Sequence, residues 1–274
     1  MNERIAITGA SGLLGRELLR ALEGRHPIGF NQADCDITDA AATRARILEA
    51  RPDVVIHLAA FTKVNECQRN PERALAVNAE GSRNIAQAAN EAGARLVYIS
   101  TDYVFDGRKR EPYLETDPVS PVNVYGHSKA EGERYVATVP RSLILRCGWL
   151  FGEGGRNFVA AIREQIALGK ALRVVSDQTG TPIWTRHLAA AIVTLVDAEV
   201  SGVLHAAASG ECSWHEFATA IVELTSAHIS VEATATNPRD TPRPMYSVLS
   251  DARLRALGFG PLPHWREGLR EYLQ

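Results

Sequence analysis

Ile5-Ala6-Ile7-Thr8-Gly9-Ala10-Ser11-Gly12-Leu13-Leu14-Gly15 sets the reading of the whole chain. A short apolar run meets a glycine-punctuated turn, and Leu14, Leu18, Leu19 and Leu22 then recur on one helical stripe. The run predicts a first strand and the stripe a helix over 12–22. The same alternation repeats outward from this start. Residues 27–30 give a weak second strand, and Ala40–Ala50 a helix closed by Arg51-Pro52, since proline disfavours a helical residue before it. Val54-Val55-Ile56-His57-Leu58 is nearly all apolar, the pattern of a strand buried on both faces. A helix over 72–92 ends at Gly93, and strand 96–100, helix 125–136 and strand 142–146 follow. Parallel strands need crossover connections, so this order predicts a parallel sheet with helices on both faces.

The rhythm loosens after Cys147, with longer loops around 152–155 and 238–244. The expected fold is α/β: a Rossmann-type doubly wound parallel sheet with a smaller C-terminal substrate-binding lobe over the carboxyl edge, where such sheets bind ligands. The expected division is 1–147, with a returning segment near 183–206, for the sheet domain, and 148–182 with 207–274 for the lobe.

A length of 274 residues suits one large domain, or one domain with a lobe. Thirty Lys+Arg against thirty-two Asp+Glu give no reason to expect a nucleic-acid or anionic-membrane partner. No apolar run approaches the ~20 residues of a membrane span. The start lacks the basic-then-apolar order of a signal peptide, so a cytoplasmic protein, monomer or homodimer, is expected. Cys35, Cys67, Cys147 and Cys212 are too scattered for a zinc site and read as reduced thiols, and no HExxH occurs, so no metal is expected.

The glycine loop suggests a ligand. Gly9 permits a tight turn, Gly12 the close approach of a pyrophosphate, and Gly15 the packing of helix on sheet. Ser11, Leu13 and Leu14 lie where backbone N–H groups at the helix start would face phosphate oxygens. The second strand ends in Gly29-Phe30-Asn31-Gln32, without the acid that NAD enzymes place there for the ribose. Arg16 follows the last glycine and is expected to reach a 2′-phosphate. NADPH is therefore the expected cofactor, with NADH as the alternative. Asp36, beside Ile37, is the candidate acceptor from the adenine amino group, while Asp39 caps the next helix.

Tyr125 and Lys129 stand four apart on one helix face. A free tyrosine, with a pKa near ~10, is a sluggish proton donor at neutrality, and a cation one turn away lowers that value. Thr101, at the end of the fourth strand, is placed to polarise a substrate carbonyl. Thr101, Tyr125 and Lys129 are thus the candidate catalytic set.

With these motifs the chain resembles the extended short-chain dehydrogenases/reductases, and within them the dTDP-4-dehydrorhamnose reductase family. The likeness runs through the glycine loop, Asp36-Ile37-Thr38-Asp39, the stretch 52–62 and Asn78-Ala79. Its most specific segment is Ser100-Thr101-Asp102-Tyr103-Val104-Phe105-Asp106-Gly107, followed by Tyr125-Gly126-His127-Ser128-Lys129. Arg146-Cys147-Gly148-Trp149, Asn157-Phe158, the stretch 177–182 and Arg243-Pro244 extend it through the second half. Tyr103 stands where dehydratases of this fold carry a glutamate, and the acidic second-strand signal of the 4-epimerases is missing.

The resemblance implies NADPH-dependent reduction of the C4 ketone of dTDP-4-dehydro-L-rhamnose to dTDP-L-rhamnose. It implies hydride transfer to C4, a proton from Tyr125, support of Tyr125 and the ribose by Lys129, and a hydrogen bond from Thr101. It adds Ala59, Ala60 and Thr62 to the cofactor residues. Thr62, Val64, Tyr103, Trp149 and Asn157 join Thr101 and Tyr125 at the sugar nucleotide, with Trp149 walling the sugar and Arg243 pairing with its diphosphate. Asn65 replaces the usual aspartate and Tyr246 an expected asparagine. Some relatives use a magnesium-bridged dimer, but Glu17, near one such position, reads as a solvated helix glutamate. The alternatives are a different 4-keto-6-deoxy sugar nucleotide, an epimerase of the same fold, or a non-catalytic NADP-binding regulatory subunit.

Overall fold

The computed structural model describes residues 3–274. Strands β1 (Ile5–Thr8), β2 (Ile28–Phe30), β3 (Val54–His57), β4 (Arg95–Thr101) and β5 (Ser142–Cys147) are joined by a sixth, Gly202–His205. They form one parallel sheet in the order Gly202–His205, β5, β4, β3, β1, β2. The fold is the α/β doubly wound sheet that the alternation predicts. The continuous apolar runs arise because both faces are covered. Ile5, Ile7, Val54, Ile56, Val97, Leu143 and Leu145 point into one core. Their neighbours Ala6, Val55, Leu96, Tyr98 and Ile144 point into the other. Helix α1 (Leu13–Ala21) and the Thr185–Asp197 helix pack together on the first side, and α2 (Ala40–Ala50) and the Gly81–Glu91 helix on the second. Each fully buried aliphatic side chain of these strands contributes on the order of 1.5–3 kcal/mol relative to exposure.

From β1 the chain runs outward to β2 and then returns across β1 to β3. The crevice at their carboxyl ends is the switch point at which such sheets bind ligands.

The helix expected over 72–92 is a continuous run, Pro71–Leu75 and Gly81–Glu91, interrupted by a π turn at Ala76–Glu80. That turn presents Asn78, whose Oδ1 accepts from Phe61 N (2.7 Å) while Nδ2 donates to Phe61 O (3.0 Å) and Ser128 Oγ (2.9 Å). One amide thus fixes the chain just after β3 and the helix Val124–Val136 together. A short helix, Val64–Arg69, was not anticipated by periodicity.

Beyond β5, the strand pairs Leu150–Phe151 with Ile183–Trp184 and Leu172–Val175 with Val231–Thr234 run parallel. The Trp214–Leu224 helix opens with a full capping box between Ser213 and Glu216. Glu17 corrects the solvated reading: it is 4% exposed, with Arg20 Nη1 at 2.8 Å and Arg186 Nε at 3.7 Å. It sits on the buried side of α1, where the Thr185–Asp197 helix covers it. All four cysteines are free and buried. Among the described residues, no helix is long and apolar enough to cross a membrane.

Candidate active site

A cavity of about 660 Å³ opens at the carboxyl ends of β1, β3 and β4. Its floor is the glycine loop. Gly9 holds φ +69°, and a Cβ there would lie 2.7 Å from Ala59 N, so the loop and the end of β3 touch backbone to backbone. Gly12 N donates to Gly9 O at 3.0 Å, and α1 begins at Leu13 with no side-chain cap, leaving its first N–H groups for a ligand.

The structure brings most of the expected residues to this one cavity. Gly9, Ser11, Gly12, Leu13, Leu14 and Gly15 line it with Asp36, Ile37, Ala59, Ala60 and Thr62. Val64, Thr101, Tyr103, Tyr125, Lys129, Trp149 and Asn157 line it as well. Asp36 Oδ1 is engaged by its own turn, accepting from Thr38 N (3.0 Å) and Thr38 Oγ1 (2.8 Å), which lowers its pKa. Asp39 caps α2 as expected, accepting from Ala42 N at 2.9 Å.

Two expected residues do not line the cavity. Arg16 Nε donates to Ser11 O (2.9 Å), and its guanidinium lies under Gly154. The side chain thus lies against the 152–156 segment. Arg243 donates to Asn65 Oδ1 (2.8 Å) and Thr241 O (3.0 Å), and stands beside the Tyr103 hydroxyl. The asparagine at 65 thus engages the guanidinium expected for a diphosphate. Tyr246 donates to Glu211 Oε2 at 2.7 Å.

The proton-transfer corner is held from several sides. Asn123 caps the Val124–Val136 helix, accepting from Gly126 N at 2.8 Å, and donates to Pro242 O at 2.9 Å. At Gly126 a Cβ would collide with the Tyr103 carbonyl oxygen, so only glycine lets this helix approach. Tyr125 meets Tyr103 edge-on, with ring centroids 5.8 Å apart. Lys129 Nζ donates to Ile99 O (2.7 Å) and lies 4.0 Å from the Tyr98 ring centroid. Burial brings Lys129 down to about 7. Burial also raises the Tyr125 phenol, while a hydrogen bond with Thr101 pulls it down.

Thr101 Oγ1 donates to Asp102 Oδ1 at 3.0 Å and accepts from Tyr103 N at 3.2 Å. Asp102 was missed as a functional candidate. It is 2% exposed, accepts from Ser247 Oγ at 2.5 Å, and is raised to about 6 by burial. The residue lies between Thr101 and Tyr103 in the most specific segment of the family resemblance, where only its two neighbours carry an expected role. Trp149, at φ +48°, stacks on Trp214 at 3.5 Å between ring centroids, so the expected aromatic wall is a pair. Asn157 mainly caps: Oδ1 accepts from Ala160 N (3.1 Å), and Nδ2 donates to Gly152 O (2.8 Å). Arg73, with its guanidinium 4.7 Å from the Phe61 ring centroid, and Arg156 also line the cavity, and no motif pointed to either.

Fold and site together define a doubly wound nucleotide-binding-type α/β protein with a tyrosine–lysine–threonine corner. The chain belongs to the family of the RmlD substrate binding domain, whose sequence model matches residues 3–274. It is 41% identical to the spore coat polysaccharide biosynthesis protein SpsK of Bacillus subtilis, covering 99% of this chain and 97% of that one. It is equally identical, 41%, to a dTDP-4-dehydrorhamnose reductase of Streptomyces griseus, covering 98% and 92%. The crystal structure of dTDP-4-dehydrorhamnose reductase from Bacillus anthracis in complex with NADP superposes with a TM-score of 0.97 at 37% identity, covering 100% and 99%.

Proposed function

We propose that the chain is an NADPH-dependent reductase of dTDP-4-dehydro-L-rhamnose, forming dTDP-L-rhamnose. The observation that carries this reading is the convergence of Thr101, Tyr125 and Lys129 on the cavity floored by the glycine loop. The names of the S. griseus and B. anthracis relatives support it.

The site fits a dinucleotide. The Gly9–Ala59 contact and the uncapped start of α1 form a cradle for a diphosphate. Asn31 and Gln32 line the end of β2 with amides and no carboxylate, which favours the 2′-phosphorylated form. Ser11, Gly12, Leu13 and Leu14 would hold the diphosphate, Asp36 and Ile37 the adenosine side, and Ala59, Ala60, Thr62 and Lys129 the nicotinamide side. When bound, NADPH supplies the hydride that reduces C4.

In this reading Tyr125 gives its phenolic proton to the C4 oxygen as charge develops there. Thr101 donates a hydrogen bond to the same oxygen from its place beside Asp102. Lys129, one turn along the same helix, supports Tyr125 and positions the ribose. Tyr103, Val64 and the Trp149–Trp214 pair wall the sugar and exclude water. We further read residues 1–147 and 183–206 as the cofactor lobe and 148–182 with 207–274 as the substrate lobe, the chain acting in the cytoplasm as monomer or homodimer. Pairing of Gly202–His205 with β5 supports that division.

A second reading, a different 4-keto-6-deoxy sugar nucleotide, is favoured by Asn65 and Tyr246, which bond to Arg243 and Glu211 beside the site. The test is oxidation of NADPH with dTDP-4-dehydro-β-L-rhamnose generated in place by the preceding enzymes. Rapid oxidation with dTDP-L-rhamnose as product supports the first reading. No turnover on that sugar, with turnover on another 4-keto sugar nucleotide, selects the second. NADPH binding without turnover on any of them rejects both.

A further inference from the structure

Residues 152–156 leave the C-terminal half of the chain and lie against the first turns of α1. Gly155 is close to the Leu13 side chain: a Cβ there would lie 3.3 Å from Leu13 Cδ2. Gly154 sits on Arg16, and its φ of +83° is a conformation that favours glycine. Glu153 reaches Arg20 at 3.6 Å. The segment is also stapled from its own side. Asn157 Nδ2 donates to Gly152 O (2.8 Å) and Gly155 O (3.2 Å), and Tyr272 OH donates to Gly152 O (3.3 Å). Residues 152–155 are thus fastened against the start of α1 as a strap that ends at Arg156.

The strap delivers Arg156 to the cavity. The nearby carboxylates are engaged elsewhere, Glu153 with Arg20 and Glu17 with Arg20 and Arg186. Among the described residues Arg156 has no ion-pair partner. The other cations of the lining are differently engaged: Lys129 donates to Ile99 O, and Arg73 lies over Phe61. A guanidinium without a carboxylate, lining the same cavity as the uncapped start of α1, is matched in charge and fork geometry to phosphate oxygens.

We infer that residues 152–156 form an anion strap and that Arg156 binds the diphosphate of a nucleotide held in the cavity. The inference rests on the nucleotide reading given above. It also reassigns Arg16: that side chain supports the strap from below instead of reaching a 2′-phosphate. Two nucleotides carry this chemistry, the dinucleotide cofactor and the sugar nucleotide, and direct binding separates them.

The experiment compares the full chain with Arg156→Ala and Arg156→Lys, without turnover. NADPH affinity is read from cofactor fluorescence and dTDP affinity from calorimetry, each at low and high salt. Arg156→Ala is expected to weaken one ligand about ten- to hundred-fold, the range for loss of a charge-assisted hydrogen bond. Its salt dependence should become shallower, and Arg156→Lys should recover part of the affinity. A change confined to NADPH assigns the strap to the cofactor, and a change confined to dTDP assigns it to the sugar nucleotide. If both affinities stay within about twofold of the parent chain, Arg156 is not a diphosphate ligand and the inference falls while the nucleotide reading stands. If the parent chain binds neither ligand, both fall. Arg156 is exposed, so an unchanged melting temperature is the check that the variants are folded.

Discussion

Tyr125, Thr101 and Asp102 meet in one corner, and Tyr125 and Asp102 are each open to a separate test. Tyr125→Phe removes the phenolic proton and leaves the ring in place. It is expected to lower kcat ~10²–10⁴-fold with NADPH affinity nearly unchanged; full activity in the variant would remove Tyr125 from the mechanism. Asp102 yields a pH prediction. Its carboxyl is raised from 3.8 to about 6 in the folded chain. Between those values the folded state holds the extra proton, so this group's stabilising contribution is complete below 3.8 and is lost as pH rises through about 6. Thermal melts of Asp102→Asn should therefore show a smaller fall in stability from about pH 4 to about pH 7 than the parent chain. Parallel melting curves for the two proteins would mean that Asp102 ionises normally. The glycine loop and the Tyr125–Lys129 spacing were legible because backbone conformation and helix periodicity are local properties. That Arg16 lies against Gly154 and Arg243 bonds Asn65 was not legible, because the surroundings of a long side chain are set by residues distant in sequence.

The Val124–Val136 helix carries Tyr125 and Lys129, and its seating rests on small features at its start. Gly126→Ala would drive a methyl into the Tyr103 carbonyl and place it 2.9 Å from Pro121 Cβ. Overpacking of this kind costs about 1–3 kcal/mol. The displaced tyrosine should lower kcat on the order of 10²-fold. Normal stability and normal kcat together would show that the helix has slack here. At this scale boundaries are legible in β3 and β4, where both faces are apolar, and in α2, which is bounded by the Asp39 cap and Arg51-Pro52. The π turn at Ala76–Glu80 was not legible, because its composition is that of ordinary helix. It is fixed by the bonds of Asn78 to a loop residue and to another helix. The short strand pairs of the C-terminal half escaped for a similar reason. Two-residue strands carry too little alternation to be read, and their partners lie far along the chain.

Across the whole molecule, the sheet, the strap and the C-terminal half close one cavity, so ligand binding should stabilise all of them together. NADPH at about a hundred times its dissociation constant should add roughly 2.7 kcal/mol, raising the melting temperature by about 5 °C or more. An unmoved melting temperature with measurable binding elsewhere would place the site outside the cooperative unit. A buried ion pair also ties the layers: Arg146 on β5 bonds Glu133 through Nε (2.9 Å) and Nη2 (2.7 Å). Glu133→Gln leaves the guanidinium buried with its charge uncompensated and should cost about 3–5 kcal/mol in denaturant unfolding.

The sixth strand, Gly202–His205, completes the sheet beside β5 only after more than fifty intervening residues. On a ribosome, β5 therefore emerges well before its neighbour exists. For that interval a nascent chain presents an open apolar edge, the surface on which strands from different chains pair. Yield during synthesis thus depends on how fast translation crosses residues 148–201, and slow codons or a pause there favour aggregation of a chain whose finished form has that edge covered.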